Sequence, residues 1–169
     1  HSLSPQMHGA AFAHLGIDDQ FVYTAARVKS EELGKAIDGI RALNIRGVSV
    51  TVPHKTSVME FLDEIDPTAK KIGAVNTIVN DNGILKGYNT DWLGIVTALE
   101  KITLLTNKKI AVLGAGGAAR AAVFGLKEQG GDVTIFNRTP DKAKVLANEF
   151  SCGFASLDDE EALTKMDIL

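Results

Sequence analysis

Cysteine is nearly absent from this chain. Cys152 stands alone among 169 residues, which excludes an internal disulfide and any metal site built from several thiolates. No apolar run approaches the 18 residues of a membrane-spanning helix, and no charged-then-apolar leader precedes a small-residue cleavage site within these residues. Blocks of one charge sign are missing too. The 18 basic and 21 acidic residues are interspersed, for a net charge of -3, so neither a nucleic-acid track nor a polybasic membrane anchor is encoded. His8 and His14 lie six apart, off the i, i+4 spacing of helical ligands, so no metal is expected. Long repeats and low-complexity tracts are lacking. What is present is a globular composition, 45% apolar and 23% charged, and with a single cysteine a reducing, cytoplasmic setting is the default expectation. The expected partner is a small-molecule substrate, with no nucleic acid and no membrane, on a monomer or homodimer.

Strand and helix signals alternate along the chain. Ser4-Pro5 reads as N-cap and first helical residue, with the stop at Gly16. Residues 20–28, "QFVYTAARV", read as a strand, and Ser30-Glu31-Glu32 opens a helix through Leu33, Ile37 and Ile40. "GVSVTV", residues 47–52, is apolar almost throughout, as strands covered on both faces are. After Pro53 a short helix turns Val58, Met59, Phe61 and Leu62 inward. A helical turn over 67–71 precedes strand "AVNTIV", a turn at Asp81-Asn82-Gly83 and the return strand "ILKGYN". Thr90 reads as the N-cap of a helix over 91–102. Beyond a polar linker come strand "KIAVLG", a helix over 118–129, strand "DVTIFN" and a helix over 140–150. Short connections between alternating elements predict two α/β units.

"AVLGAGGAARAAVFGL" carries the parts of a dinucleotide site. Gly114 suits the tight turn, Gly116 leaves room for a pyrophosphate, Gly117 and Ala118 lead into the helix, and Ala119 takes the small third position of the fingerprint. Helix-start N–H groups face the phosphates. An NAD site usually has an acidic residue about 20 residues after the first glycine. This chain has Asn137, Arg138 and Thr139 instead. A guanidinium grips a 2'-phosphate that a carboxylate would repel, so NADP is the expected cofactor. Thr139 is also placed to cap the helix that begins at Pro140.

Taken together and in order, "HSLSPQMH", "SVTVPHK", "GAVNTI", "GYNTDWLG", "GAGGAAR" and "FNRT" resemble the shikimate dehydrogenase family, over essentially the whole chain. The resemblance implies an α/β fold of two domains. Residues 1–90 would form an open α/β substrate domain, 91–106 a linking helix and hinge, and 107–169 part of a Rossmann-type NADP-binding domain. It implies NADP-dependent reduction of 3-dehydroshikimate to shikimate. Ser2 and Ser4 match residues that meet the substrate carboxylate. Thr51, Asn76 and Asp91 match those around the ring hydroxyls, Lys55 the lysine at the reacting oxygen, and Arg138 the arginine on the 2'-phosphate.

Lys55 is read as the general acid, with Asp91 orienting it, because a ketone receiving hydride needs a proton donor within hydrogen-bond reach of its oxygen. His54 is the rival acid, its reference pKa of about 6.5 suiting proton transfer. Against the family pattern, a first strand and everything after "MDIL", itself strand-like, are expected to be missing. Residues 1–169 alone are therefore expected neither to turn over nor to melt sharply. The alternatives are a quinate/shikimate dehydrogenase of broader specificity and a non-catalytic NADP-binding module.

Overall fold

The computed structural model describes residues 2–169. They fall into two units, one running to Leu33 and the other Gly34–Leu169. In the first, α1 (Ser4–Leu15) closes at Gly16, whose φ of 67° lets its N–H turn back to the carbonyls of Ala13 and Phe12. Ser4 is helical and does not cap. Leu3 holds the N-cap position with right-handed helical backbone and no side-chain cap bond, and Met7 N–H already reaches its carbonyl at 3.0 Å. The helix therefore starts one residue earlier than expected. His8 stacks on Tyr23 with ring centroids 4.2 Å apart. Residues 20–28 are not a strand and join neither sheet. β-rich composition makes a strand only where a ladder partner lies alongside.

A 3-10 turn at Ser30–Glu32 leads into α2 (Leu33–Ala42), with Ile37 and Ile40 buried. The first sheet has the order β1-β3-β4-β2, with β1 Gly47–Ser49, β2 Glu64–Ile65, β3 Thr77–Asp81 and β4 Ile84–Tyr88. β1 runs antiparallel to β3. It is shorter than "GVSVTV" suggested and is not covered on both faces: it lies at the sheet edge, and Val52 is 77% exposed. β3 and β4 form a hairpin closed by Asn82 (φ 53°) and Gly83 (φ 92°). Positive φ at both loop residues is the geometry that matches strand twist. α3 (Pro67–Ile72) is capped by Asp66, whose carboxylate accepts the N–H groups of Thr68 and Ala69.

α4 (Asp91–Glu100) runs from this sheet toward the second. There β5 (Lys109–Leu113), β6 (Asp132–Asn137) and β7 (Gly153–Ser156) are parallel, in the order β5-β6-β7. They alternate with α5 (Gly117–Glu128), α6 (Pro140–Phe150) and α7 (Glu160–Thr164). On the other side of β5, Ile168 forms a parallel bridge to Ile110, so strand order reverses at β5. That reversal makes the switch point at which open α/β sheets bind ligands. Ile110, Val112, Val123, Leu126, Ile135 and Leu146 build the core. Trp92 of α4 meets Phe124 edge-on, with centroids 5.5 Å apart.

Candidate active site

The corner after β1 places Lys55. Val50 extends the ladder by donating to Asn76 O at 2.7 Å, and His54 N–H closes a turn onto Thr51 O at 2.9 Å. The Val52-Pro53 peptide is cis. Lys55 O then accepts Val75 N–H at 2.7 Å, which ties the corner to the segment before β3. The Lys55 ammonium donates to Asp91 Oδ2 at 2.6 Å, with the two side chains only 14% and 25% exposed.

Asp91 is held from three sides. It opens α4, where the helix dipole favours a carboxylate. Its N–H donates to Asn89 Oδ1 at 3.0 Å, and Asn89 Nδ2 donates to Ala74 O at 2.9 Å. Asn76 Nδ2 donates to Asp91 Oδ1 at 2.7 Å and to Thr90 Oγ1 at 3.0 Å. Asn76 Oδ1 accepts from Thr90 N–H at 3.0 Å and from Thr77 Oγ1 at 2.9 Å. Thr90 thus stands in the N-cap position without capping, because its hydroxyl serves Asn76 and Asn89 takes the helix-start N–H. Both carboxylate oxygens are engaged. An ammonium has three donors, of which Asp91 takes one, so the pair can present a proton to a third group.

The glycine loop follows β5. Gly114 has φ 110°, a conformation that glycine adopts without steric cost, and its N–H donates to Phe136 O at 2.7 Å. A Cβ on Gly116 would meet nothing within 4 Å, and this N-cap residue supplies no side-chain cap to α5. The first N–H groups of a helix have no partner within it, so this start suits an anion approaching closely against backbone. The residues present therefore fit a dinucleotide pyrophosphate. α5 begins at Gly117, one residue before the expected Ala118. Ala118 is exposed, and Ala119 is buried against the sheet core. Gly117 backs onto Lys55: an added Cβ would fall 2.9 Å from Lys55 Cβ.

At the end of β6, Asn137 Nδ2 donates to Thr139 O at 2.9 Å, and Arg138 and Thr139 are exposed. Thr139 holds the N-cap position of α6, but its side chain makes no cap bond. A cavity of about 330 Å³ lies between the loop and α6, lined by Ala115, Arg120, Asp141, Lys142, Val145 and Leu146.

Ser2 and Ser4 belong to the other unit, where Ser4 N–H donates to Ser2 Oγ at 3.2 Å. Thr51 is exposed at the corner. Cys152 is half-buried against the second core, and burial pushes its thiol above the ordinary 9.0, with Lys127 opposing weakly. A thiol so placed is a poor nucleophile near neutrality. Among the described residues no group of His, Cys, Asp and Glu could hold a metal, and no helix is long and apolar enough to cross a membrane. Sequence reasoning missed Arg120, whose only local signal was a charge in the alanine-rich start of α5. It also missed the contact between Gly117 and Lys55, for which no local signal exists.

Residues 1–78 match the family described as shikimate dehydrogenase substrate binding domain, and residues 97–169 match shikimate / quinate 5-dehydrogenase. The chain is 51% identical over 152 residues to the shikimate dehydrogenase (NADP(+)) of Methanothermobacter thermautotrophicus, across 89% of this chain and 53% of that protein. The structure of shikimate dehydrogenase from Aquifex aeolicus superposes with a TM-score of 0.93 at 42% identity, covering 99% of this chain and 63% of that one. Shikimate 5-dehydrogenase from Thermus thermophilus, solved in complex with NADP(H) and shikimate, gives 0.82 at 40% identity, covering 92% and 58%. This chain spans about half the length of the curated relatives it matches.

Proposed function

The chain belongs to the shikimate dehydrogenase family, and from that premise we propose that the full-length protein reversibly reduces 3-dehydroshikimate to shikimate with NADPH. The observation that carries the proposal is the Lys55–Asp91 ion pair at 2.6 Å, seated against the first residue of the helix that follows the glycine loop. That arrangement brings a proton donor beside a loop suited to a dinucleotide.

When bound, NADPH would supply the hydride for the carbonyl carbon. Lys55 steadies the negative charge growing on the carbonyl oxygen and protonates it, so the C=O bond becomes C–OH. In the reverse direction its amine takes that proton back. Asp91 holds the ammonium and accepts a ring hydroxyl, with Asn76 fixing its second oxygen and Thr51 contributing a hydroxyl. Ser2 and Ser4 are assigned to the substrate carboxylate on family grounds alone. Gly114, Gly116, Gly117 and Ala118 would hold the pyrophosphate, while Asn137, Arg138 and Thr139 would hold the adenosine 2'-phosphate. The corresponding division is a substrate domain at 1–90, a linking helix and hinge at 91–106, and an NADP domain at 107–169.

The test is steady-state kinetics on the full-length protein, following the absorbance of the reduced nicotinamide formed from shikimate and quinate, each with NADP+ and NAD+. Oxidation of shikimate with NADP+ at the highest kcat/KM is the expected result. Comparable values for quinate would instead make it the broader dehydrogenase, and binding without turnover a non-catalytic module.

A further inference from the structure

Gly117 occupies a loop whose glycines are ordinarily explained by the pyrophosphate, yet its own surroundings ask for a small residue on different grounds. A Cβ added there would lie 2.9 Å from Lys55 Cβ, 3.4 Å from Lys55 Cδ and 3.7 Å from Ala74 Cβ, whereas one on Gly116 would meet nothing within 4 Å. Backbone conformation does not require glycine, because φ at Gly117 lies outside the left-handed region. Helix propensity does not either, since alanine is the better helix former.

Lys55 has little room to retreat. Its carbonyl is bonded to Val75 N–H at 2.7 Å, and its ammonium to Asp91 at 2.6 Å. Ala74, the other neighbour, is fully buried, and its carbonyl receives the Asn89 amide that also steadies the start of α4. The first turn of α5 therefore rests on the methylene stem of Lys55 and on the residue that supports the turn into Asp91.

We infer that Gly117 is a positioning residue: its missing side chain lets the dinucleotide loop seat on the stem of Lys55, so that the cofactor phosphates and the proton donor share one register. The inference rests on the reading of Lys55 as general acid given above. A single methyl at 117 must push the Lys55 stem aside and with it the ammonium from Asp91.

The experiment compares Gly117→Ala with Gly116→Ala in the full-length protein. It reads the thermal melt, NADP+ affinity by calorimetry, steady-state kinetics, and the rate at which an amine reagent modifies Lys55, quantified by peptide mass spectrometry. Gly117→Ala is expected to fold, to expose Lys55 to severalfold faster modification, and to lower kcat with little change in the KM for NADPH. The loss should be roughly tenfold, below the 10²-fold that about 1 Å of misplacement can cost. Gly116→Ala should do the reverse, weakening NADP+ while leaving Lys55 modification unchanged.

Unchanged Lys55 modification in folded Gly117→Ala overturns the inference, as does a loss confined to NADP+ affinity. Faster modification with undiminished kcat supports the seating and removes Lys55 as the acid, so the two readings fail separately. If Gly117→Ala does not fold, adding Lys55→Gly removes the opposing Cβ. Recovery of the melt in that pair supports the contact, and no recovery overturns it.

Discussion

Arg120 of α5 donates from Nε to the carbonyl of Ile72, the last residue of α3, at 2.7 Å. The same guanidinium pairs with Glu149 of α6 and lies 5.8 Å over the ring of Phe150. One side chain thus ties the end of the helix preceding Asn76 to two helices of the second sheet. The Ile72 bond is a directed contact to a residue with no exposed surface, whereas Glu149 is 45% exposed. Arg120→Lys keeps the charge but loses the planar fork, and is expected to cost about 1.5 to 3 kcal/mol in urea unfolding, the range for hydrogen bonds to charged groups. Glu149→Gln should cost about 1 kcal/mol or less, as surface ion pairs do. Equal losses from the two substitutions would show that the Ile72 bond contributes nothing special.

Asp63 gives a pH signature to the first sheet. Leu85 N–H donates to its Oδ2 at 2.7 Å and Arg41 Nη2 at 2.9 Å, and these contacts, Leu85 first, hold the carboxyl below its ordinary 3.8 against a smaller opposing effect of burial. A folded pKa below the unfolded one means that the group stabilises the fold above about 3.8, and that this stabilisation is lost as pH falls through the depressed folded value. Asp63→Asn should therefore be less stable than the parent at neutral pH. The gap should close on acidification. Urea melts across that range check it, and a gap independent of pH would remove ionisation of Asp63 as the cause.

Legibility in the sequence followed the range of the interactions. The β5-α5-β6-α6 run was readable because apolar strands, a glycine turn and helix stops are local signals, and the Asn82-Gly83 hairpin was readable for the same reason. Residues 20–28 were not, since a β-rich segment and a paired strand differ only in what lies alongside. β7 and α7 escaped notice because four residues opening on glycine carry little strand signal and the helix is only five residues long. Ser4 and Thr90 were expected as caps from residue type alone, but capping depends on where the backbone enters the helix and on competing partners. Lys55 and Asp91 are 36 residues apart, and no periodicity connects them. Their pairing was expected only through family resemblance, whereas the brace from Asn76 and the seat on Gly117 are tertiary facts.

Cofactor choice is tested at Arg138. It is exposed at the end of β6, where an NAD site would carry a carboxylate. Arg138→Ala in the full-length protein should weaken NADPH by about 1.5 to 3 kcal/mol, the scale of a charge-assisted contact to phosphate, and should hardly alter NADH. Affinities measured by fluorescence titration decide it. Equal losses for both cofactors would mean that Arg138 serves the adenosine in common and does not read the 2'-phosphate.

The proton-transfer assignment is tested at the ion pair and its neighbour. Lys55 and Asp91 are bonded at 2.6 Å and Asn76 occupies the other carboxylate oxygen at 2.7 Å, so removing the ammonium leaves the carboxylate in place with one partner fewer. Lys55→Ala should lower kcat by at least about 10²-fold, the scale of a positioned general acid, with a smaller change in KM for 3-dehydroshikimate. Asp91→Asn should impair both, because that side chain is assigned a substrate hydroxyl as well as the ammonium. His54 lies next in sequence to Lys55, but its backbone closes the corner, with N–H bonded to Thr51 O and its carbonyl accepting Val58 N–H. His54→Ala keeps both of these main-chain bonds and should retain most of kcat. Near-normal kcat in Lys55→Ala together with its abolition in His54→Ala would transfer the acid role to His54.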